Sequence, residues 1–102
     1  ANTFLNAIGF DVGKSLCEKD LAATAQRILD KAKTSNCAIF LPVDAVVATK
    51  FEANAPNQTY GTDAIPADGM ILDIGPKSMD RVASAISDAK TLVWNGPLGA
   101  FE

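Results

Sequence analysis

Residues 70–94 read MILDIGPKSMDRVASAISDAKTLVW, and the succession of patterns inside them decides the fold class. Residues 70–74 form a short apolar run of the kind that makes a buried strand. Gly75 then permits a sharp exit, and Pro76 or Ser78 can open a helix. Over 79–89 the apolar residues Met79, Val82, Ala83 and Ile86 recur at helical spacing, and residues 91–94 return to a strand pattern. A helix between two apolar strands points to an α/β architecture with a largely parallel sheet.

The upstream half repeats the alternation. Residues 2–8 place Phe4, Leu5 and Ile8 at helical spacing and stop at Gly9. In residues 18–33 Leu21, Ala25, Ile28, Leu29 and Ala32 fall on one face, with Glu18 and Asp20 in the first turn and Lys31 and Lys33 in the last, as the helix dipole favours. CAIFLP, residues 37–42, fits a strand buried on both faces and closed by Pro42. AVVATK, residues 45–50, reads as a further strand, and the Pro-, Asn-, Gly- and Thr-rich residues 52–68 read as one long connection.

Composition bounds what such a chain can do. With 102 residues, 48% hydrophobic and 21% charged, it fits a single core of ordinary globular make-up. A chain of this size buries roughly two thirds of its unfolded surface, so stability is attainable without a wide margin. The formal charge of −3 supplies no positive field for nucleic acid or an anionic membrane, so neither is expected as a partner. The chain has two cysteines and no histidine, which excludes imidazole-based metal sites, a four-cysteine zinc site and a Ser/His/Asp triad. Cys17 and Cys37 are expected to be reduced and at or near the core of a cytoplasmic protein. No apolar run reaches the ~18 residues of a membrane span, and no signal segment opens the chain. The chain starts at Ala1 without an initiator methionine, which suggests a piece of something longer.

Neither GxGxxG nor GxxxxGK[ST] occurs, so no dinucleotide or Walker-type phosphate loop can be claimed. Two strand-end loops remain, LDIGPKS and WNGPLGAFE, at the sheet edge where open α/β folds bind ligands.

Taken in order and at these spacings, NTFLNAIGFDVGKSL, IFLPVDAVVATKF, MILDIGPKS and AKTLVWNGPLGAFE resemble the nucleotide-binding carboxyl-terminal domain of phosphoglycerate kinase. The resemblance runs through essentially the whole chain, and LPVD with VVA and the ending WNGPxGxFE are its most specific pieces. It implies part of a three-layer, doubly wound, mostly parallel Rossmann-like sheet, with residues 1–102 forming a partial nucleotide-binding domain of a two-domain monomeric enzyme. It further implies phosphoryl transfer from 1,3-bisphosphoglycerate to ADP, giving 3-phosphoglycerate and ATP in glycolysis, with the nucleotide carried as its magnesium complex.

Carried over residue by residue, the resemblance places Leu16, Phe51, Leu72, Pro97 and Ala100 around the adenine and ribose, Asn95 near the phosphates and Glu102 on the ribose hydroxyls. Gly96 and Gly99 would let the backbone approach the ligand. Chemistry agrees, since a purine wants flat apolar walls and a carboxylate accepts from two vicinal hydroxyls. Ala100 departs from the commoner valine and leaves the adenine wall looser. The family's glycine-rich phosphate segment would precede Ala1, the magnesium-linked aspartate would follow Glu102, and the substrate arginines would belong to the other domain. No catalytic residue or metal ligand is therefore expected within the chain, and the strands matching 37–42 and 91–94 would pair with strands outside it.

Without the resemblance each residue has a plainer reading. Leu16, Phe51 and Leu72 would be core side chains, WNGP a turn, Glu102 a solvated end, and Asp44 a residue ordering the turn after Pro42. The alternatives are a nucleotide-binding module without catalysis, or an α/β piece without a ligand.

Overall fold

A computed structural model describes residues 1–100. The elements run α1 (Asn2–Ala7), a 3-10 turn (Lys19–Leu21), α2 (Ala22–Thr34), β1 (Asp44–Ala48), β2 (Asn57–Gly61), β3 (Met70–Ile74) and α3 (Pro76–Asp88). Helix α1 ends as its sequence implied. Gly9 takes φ +100°, and the amides of Gly9 and Phe10 return to the carbonyls of Asn6 and Leu5 at 3.1 and 3.0 Å. Leu5, the most deeply buried large side chain of the described residues, lies on this helix, which packs against α2, where Ala25 is buried.

The segment between α1 and the 3-10 turn ties this helical pair to the sheet. Gly13 has φ +60° and sits so close to the carbonyls of Pro66 and Gly69 that a Cβ would collide with them. Glycine is thus required there both for conformation and for space. Next to it the Lys14 amide donates to the Gly69 carbonyl at 2.9 Å, and the Ile71 amide donates to Ser15 Oγ at 2.8 Å.

The sheet has the order β2-β1-β3, and both pairings are antiparallel. The expectation of a largely parallel sheet is therefore corrected for the described residues. Parallel neighbours require a crossover between them, but α2 precedes β1 and α3 follows β3, so β1, β2 and β3 succeed one another with no helix between. Central β1 is buried along nearly its whole length, with Ala45, Val47 and Ile65 at the core and Tyr60 and Ile71 packed on it. The reading of 52–68 as an unbroken connection is corrected too, because β2 lies within it. Its sequence NQTYG is polar and mostly exposed, which suits an edge strand and hides it from any search for apolar periodicity.

Residues 37–42 and 91–94, read as buried strands, lie in no ladder of the described sheet. Their apolar side chains face solvent: Phe40 is 49% exposed, Val93 86% and Trp94 62%. The Arg81 guanidinium lies 5.8 Å from the Phe40 ring centre and gives that ring partial cover. Helix α3 begins at Pro76 rather than Met79, and its apolar face is largely open, with Met79 58% exposed. Both cysteines are free, but only Cys17 is partly buried; Cys37 is exposed, against the expectation of two near-core thiols.

Candidate functional site

A cavity of about 520 Å³ opens on one side of the sheet. Val46 and Ala48 of β1 form its floor, the chain from Phe51 to Ala55 and Asn57 of β2 form one wall, and Leu72, Asp73 and Ala100 form the other. The volume falls within the range that encloses a small organic ligand.

An irregularity in β3 builds the second wall. Val46 pairs with Asp73 and Val47 with Ile71, so Leu72 is an extra residue without a partner on β1. Such a bulge bends the strand and re-aims its side chain. It also leaves the Leu72 carbonyl outside the β1 ladder, where the Ala100 amide donates to it at 2.6 Å. This hydrogen bond draws the end of the final loop onto β3. Beside it Gly99 lies against the Asp73 carboxylate, whose Oδ1 accepts from the Ile74 amide at 2.7 Å.

Of the residues expected at the site, Phe51, Leu72 and Ala100 meet in this cavity, although long stretches of chain separate them. Leu16 does not line it. Its side chain is 93% exposed, and its carbonyl accepts from Asn2 Nδ2 at 3.0 Å. Asn95, Gly96 and Pro97 are exposed and stand off the cavity lining, with Gly96 at φ +79°, a conformation that favours glycine in this turn. Glu102 lies outside the described residues.

The lining also holds residues outside the expected site set, among them Asp73, a carboxylate that the sequence offers but that the set does not include. Glu52, Asp73, Asn54 and Asn57 bring carboxylates and amides, and among the described residues no lysine or arginine lines the cavity. Acceptors and apolar walls without a cation suit a ring and donor groups such as hydroxyls, and they disfavour an anion. Among the described residues no group of three or more His, Cys, Asp or Glu could hold a metal ion. Asn54, at φ 58°, shapes the wall that Phe51 begins.

A second polar cluster supports the sheet beneath. Asp44, at the start of β1, is buried, and its carboxylate accepts from the Lys77 amide at 3.0 Å, the Ser78 amide at 2.8 Å and the Ser78 hydroxyl at 2.6 Å. It caps the amino terminus of α3 from another element, where its neighbours had suggested a local turn role. Gly75 makes this possible, because a Cβ there would strike the carboxylate. Burial pushes the Asp44 carboxyl up, but the Ser78 hydroxyl, the two amides and the nearby Lys77 charge outweigh it and hold the group below its ordinary value of 3.8.

Comparison with known proteins settles what kind of chain carries this geometry. The model of the phosphoglycerate kinase family matches residues 1–102, which is the whole sequence. The chain belongs to the phosphoglycerate kinase family. It is 72% identical to the phosphoglycerate kinase of Rhodopseudomonas palustris and 71% identical to that of Bradyrhizobium diazoefficiens, in each case over 102 residues. These matches take in 100% of this chain and 26% of each relative, so the chain spans about a quarter of the length of these phosphoglycerate kinases. The solved phosphoglycerate kinase of Coxiella burnetii superposes with a TM-score of 0.95 at 40% identity, covering 98% of this chain and 26% of that one. A small α/β unit with a three-stranded sheet is thus what this chain shares with a phosphoglycerate kinase structure.

Proposed function

We propose that this chain is part of a glycolytic kinase that moves a phosphoryl group from 1,3-bisphosphoglycerate to ADP, and that its share of the work is to hold the adenosine end of the nucleotide. The observation that carries the reading is the convergence of Phe51, Leu72 and Ala100 on one cavity of about 520 Å³. Phe51 and Leu72 offer apolar contact to a purine, and the Glu52 carboxylate with the Asn54 and Asn57 amides offers acceptors and donors to its polar edge and to ribose. With no basic side chain among the described residues of the lining, the phosphates would lead out of the cavity toward the exposed Asn95-Gly96-Pro97 turn. In this reading Glu102 accepts from the ribose hydroxyls and Leu16 closes over the nucleoside from the segment after α1.

Phosphoryl transfer rests on positioning and on neutralising charge, which magnesium, lysine and arginine supply. In this reading the magnesium ligand and the catalytic groups come from polypeptide outside this chain. That polypeptide would also pair residues 37–42 and 91–94 into a doubly wound, mostly parallel sheet. The complete enzyme would be a cytoplasmic monomer taking 3-phosphoglycerate and ATP as its other ligands, with no nucleic-acid or membrane partner. No helix among the described residues is long and apolar enough to cross a membrane.

Calorimetric titration of the complete protein with ADP tests the site. Phe51 is 57% exposed, so Phe51→Ala should leave folding nearly unchanged while weakening ADP. Loss of ~1–2 kcal/mol of aromatic contact corresponds to about tenfold in Kd. Glu102→Ala should weaken ADP by about tenfold or more, as charged hydrogen bonds of ~1.5–3 kcal/mol imply, and should matter less for a 2′,3′-dideoxy analogue. Unchanged ADP affinity in Phe51→Ala would remove the cavity from the nucleotide site.

A further inference from the structure

Resting on that reading of the cavity, we propose that Asp73 is a positioning residue of the nucleotide site: its carboxylate seats Gly99, and through Gly99 it fixes Ala100 in the cavity wall. Asp73 does double duty at the bulge. Its backbone pairs with Val46 on one side of the unpaired Leu72, and its side chain projects toward the final loop. The Ile74 amide donates to Oδ1 at 2.7 Å, which holds the carboxylate in one orientation.

Gly99 rests on that carboxylate. A Cβ at Gly99 would lie 2.5 Å from Oδ1 and 2.8 Å from Oδ2, well inside the 3.4–4 Å of ordinary contact. Gly99 is not among the residues with positive φ, so glycine is needed here for space and not for backbone conformation. The next residue, Ala100, makes the loop's described backbone hydrogen bond to the sheet, to the Leu72 carbonyl at 2.6 Å. One hydrogen bond fixes a point on the loop and leaves rotation about it free. The Gly99–Asp73 contact supplies a second point and so limits how far the loop can swing about the Ala100 hydrogen bond. A shift of even 1 Å in such a wall is enough to lose complementarity.

The test uses the complete protein, with ADP titration and steady-state kinetics. Asp73→Ala removes the seat and should raise the Kd and KM for ADP about five- to tenfold while kcat stays within about twofold. Asp73→Asn keeps the shape and an acceptor for the Ile74 amide, and should bind ADP within about twofold of the parent. Gly99→Ala should weaken ADP at least as much as Asp73→Ala, and should cost less when Asp73 is already alanine, because the added methyl then has room. A general loss of stability would not produce that coupling. The role is overturned if Asp73→Ala binds ADP like the parent, if Asp73→Asn is as damaged as Asp73→Ala, or if Gly99→Ala costs the same in both backgrounds. A parent protein that fails to bind ADP overturns the nucleotide reading, and this role with it.

Discussion

Replacing Asp44 by alanine lowers the unfolding free energy of the complete protein by about 2–4 kcal/mol, an expectation built from the loss of a helix cap and of charged hydrogen bonds to buried donors. The carboxylate satisfies the amides of Lys77 and Ser78 and the hydroxyl of Ser78, which is only 2% exposed. Without it the hydroxyl can still donate to the Asp44 carbonyl at 2.9 Å, but the two amides at the start of α3 lose their acceptor. Urea denaturation should show a lower midpoint at unchanged slope. A change within about 0.5 kcal/mol, the range of an ordinary surface substitution, would refute the cap.

Asp44→Asn sharpens the test through pH. The folded carboxyl titrates below 3.8, the value it regains on unfolding, so the unfolded chain takes up its proton first as pH falls. The stabilisation is therefore complete above that value and drains away as pH drops through the folded value. The stability gap between the parent and Asp44→Asn should stay constant from about pH 7 to pH 5 and close below about pH 4. A gap that widened on acidification would contradict the network.

As a separate polypeptide, the 102-residue chain should show no phosphoryl transfer and should associate in solution. Leu92, Val93 and Trp94 are 55%, 86% and 62% exposed, and Ile39 and Phe40 are 37% and 49% exposed. Apolar segments of strand-like sequence with no ladder partner are open templates for pairing between copies. Nucleotide affinity should fall to ~1 mM or weaker, about −4 kcal/mol, because the described residues of the cavity lining include no lysine or arginine to neutralise the phosphates. A coupled assay for ATP formation from 1,3-bisphosphoglycerate, run beside light scattering, decides the matter. Turnover from a monodisperse monomer would overturn both the placement of catalysis outside residues 1–102 and the partial-domain reading.

Amino-acid sequence by itself determined the elements whose own side chains are buried or capped in a periodic way. Helix α1 with its Gly9 exit, α2 with its basic last turn, β1, β3 and α3 after Gly75 follow from spacing and from glycine and proline chemistry, although α2 starts only at Ala22, after Glu18 and Asp20, and α3 starts at Pro76, ahead of Met79. The family was legible too, and with it three of the residues that meet in the cavity, because Phe51, Leu72 and Ala100 sit in motifs specific enough to be matched one by one.

Only the tertiary structure decided the rest, for one physical reason. Periodicity reports what a residue's own side chain buries, whereas strand pairing, bulges and caps depend on where another segment's backbone arrives. Polar β2 is a strand because β1 offers it an edge. Leu72 reaches the cavity because the register slips by one residue between Val46 and Val47. Asp44, which looked like a turn residue beside Pro42, instead caps a helix that begins more than thirty positions later. Asp73 and Glu52 enter the cavity wall by the same route, placed there by the bulge and by the chain leaving β1, neither of which leaves a mark on local sequence.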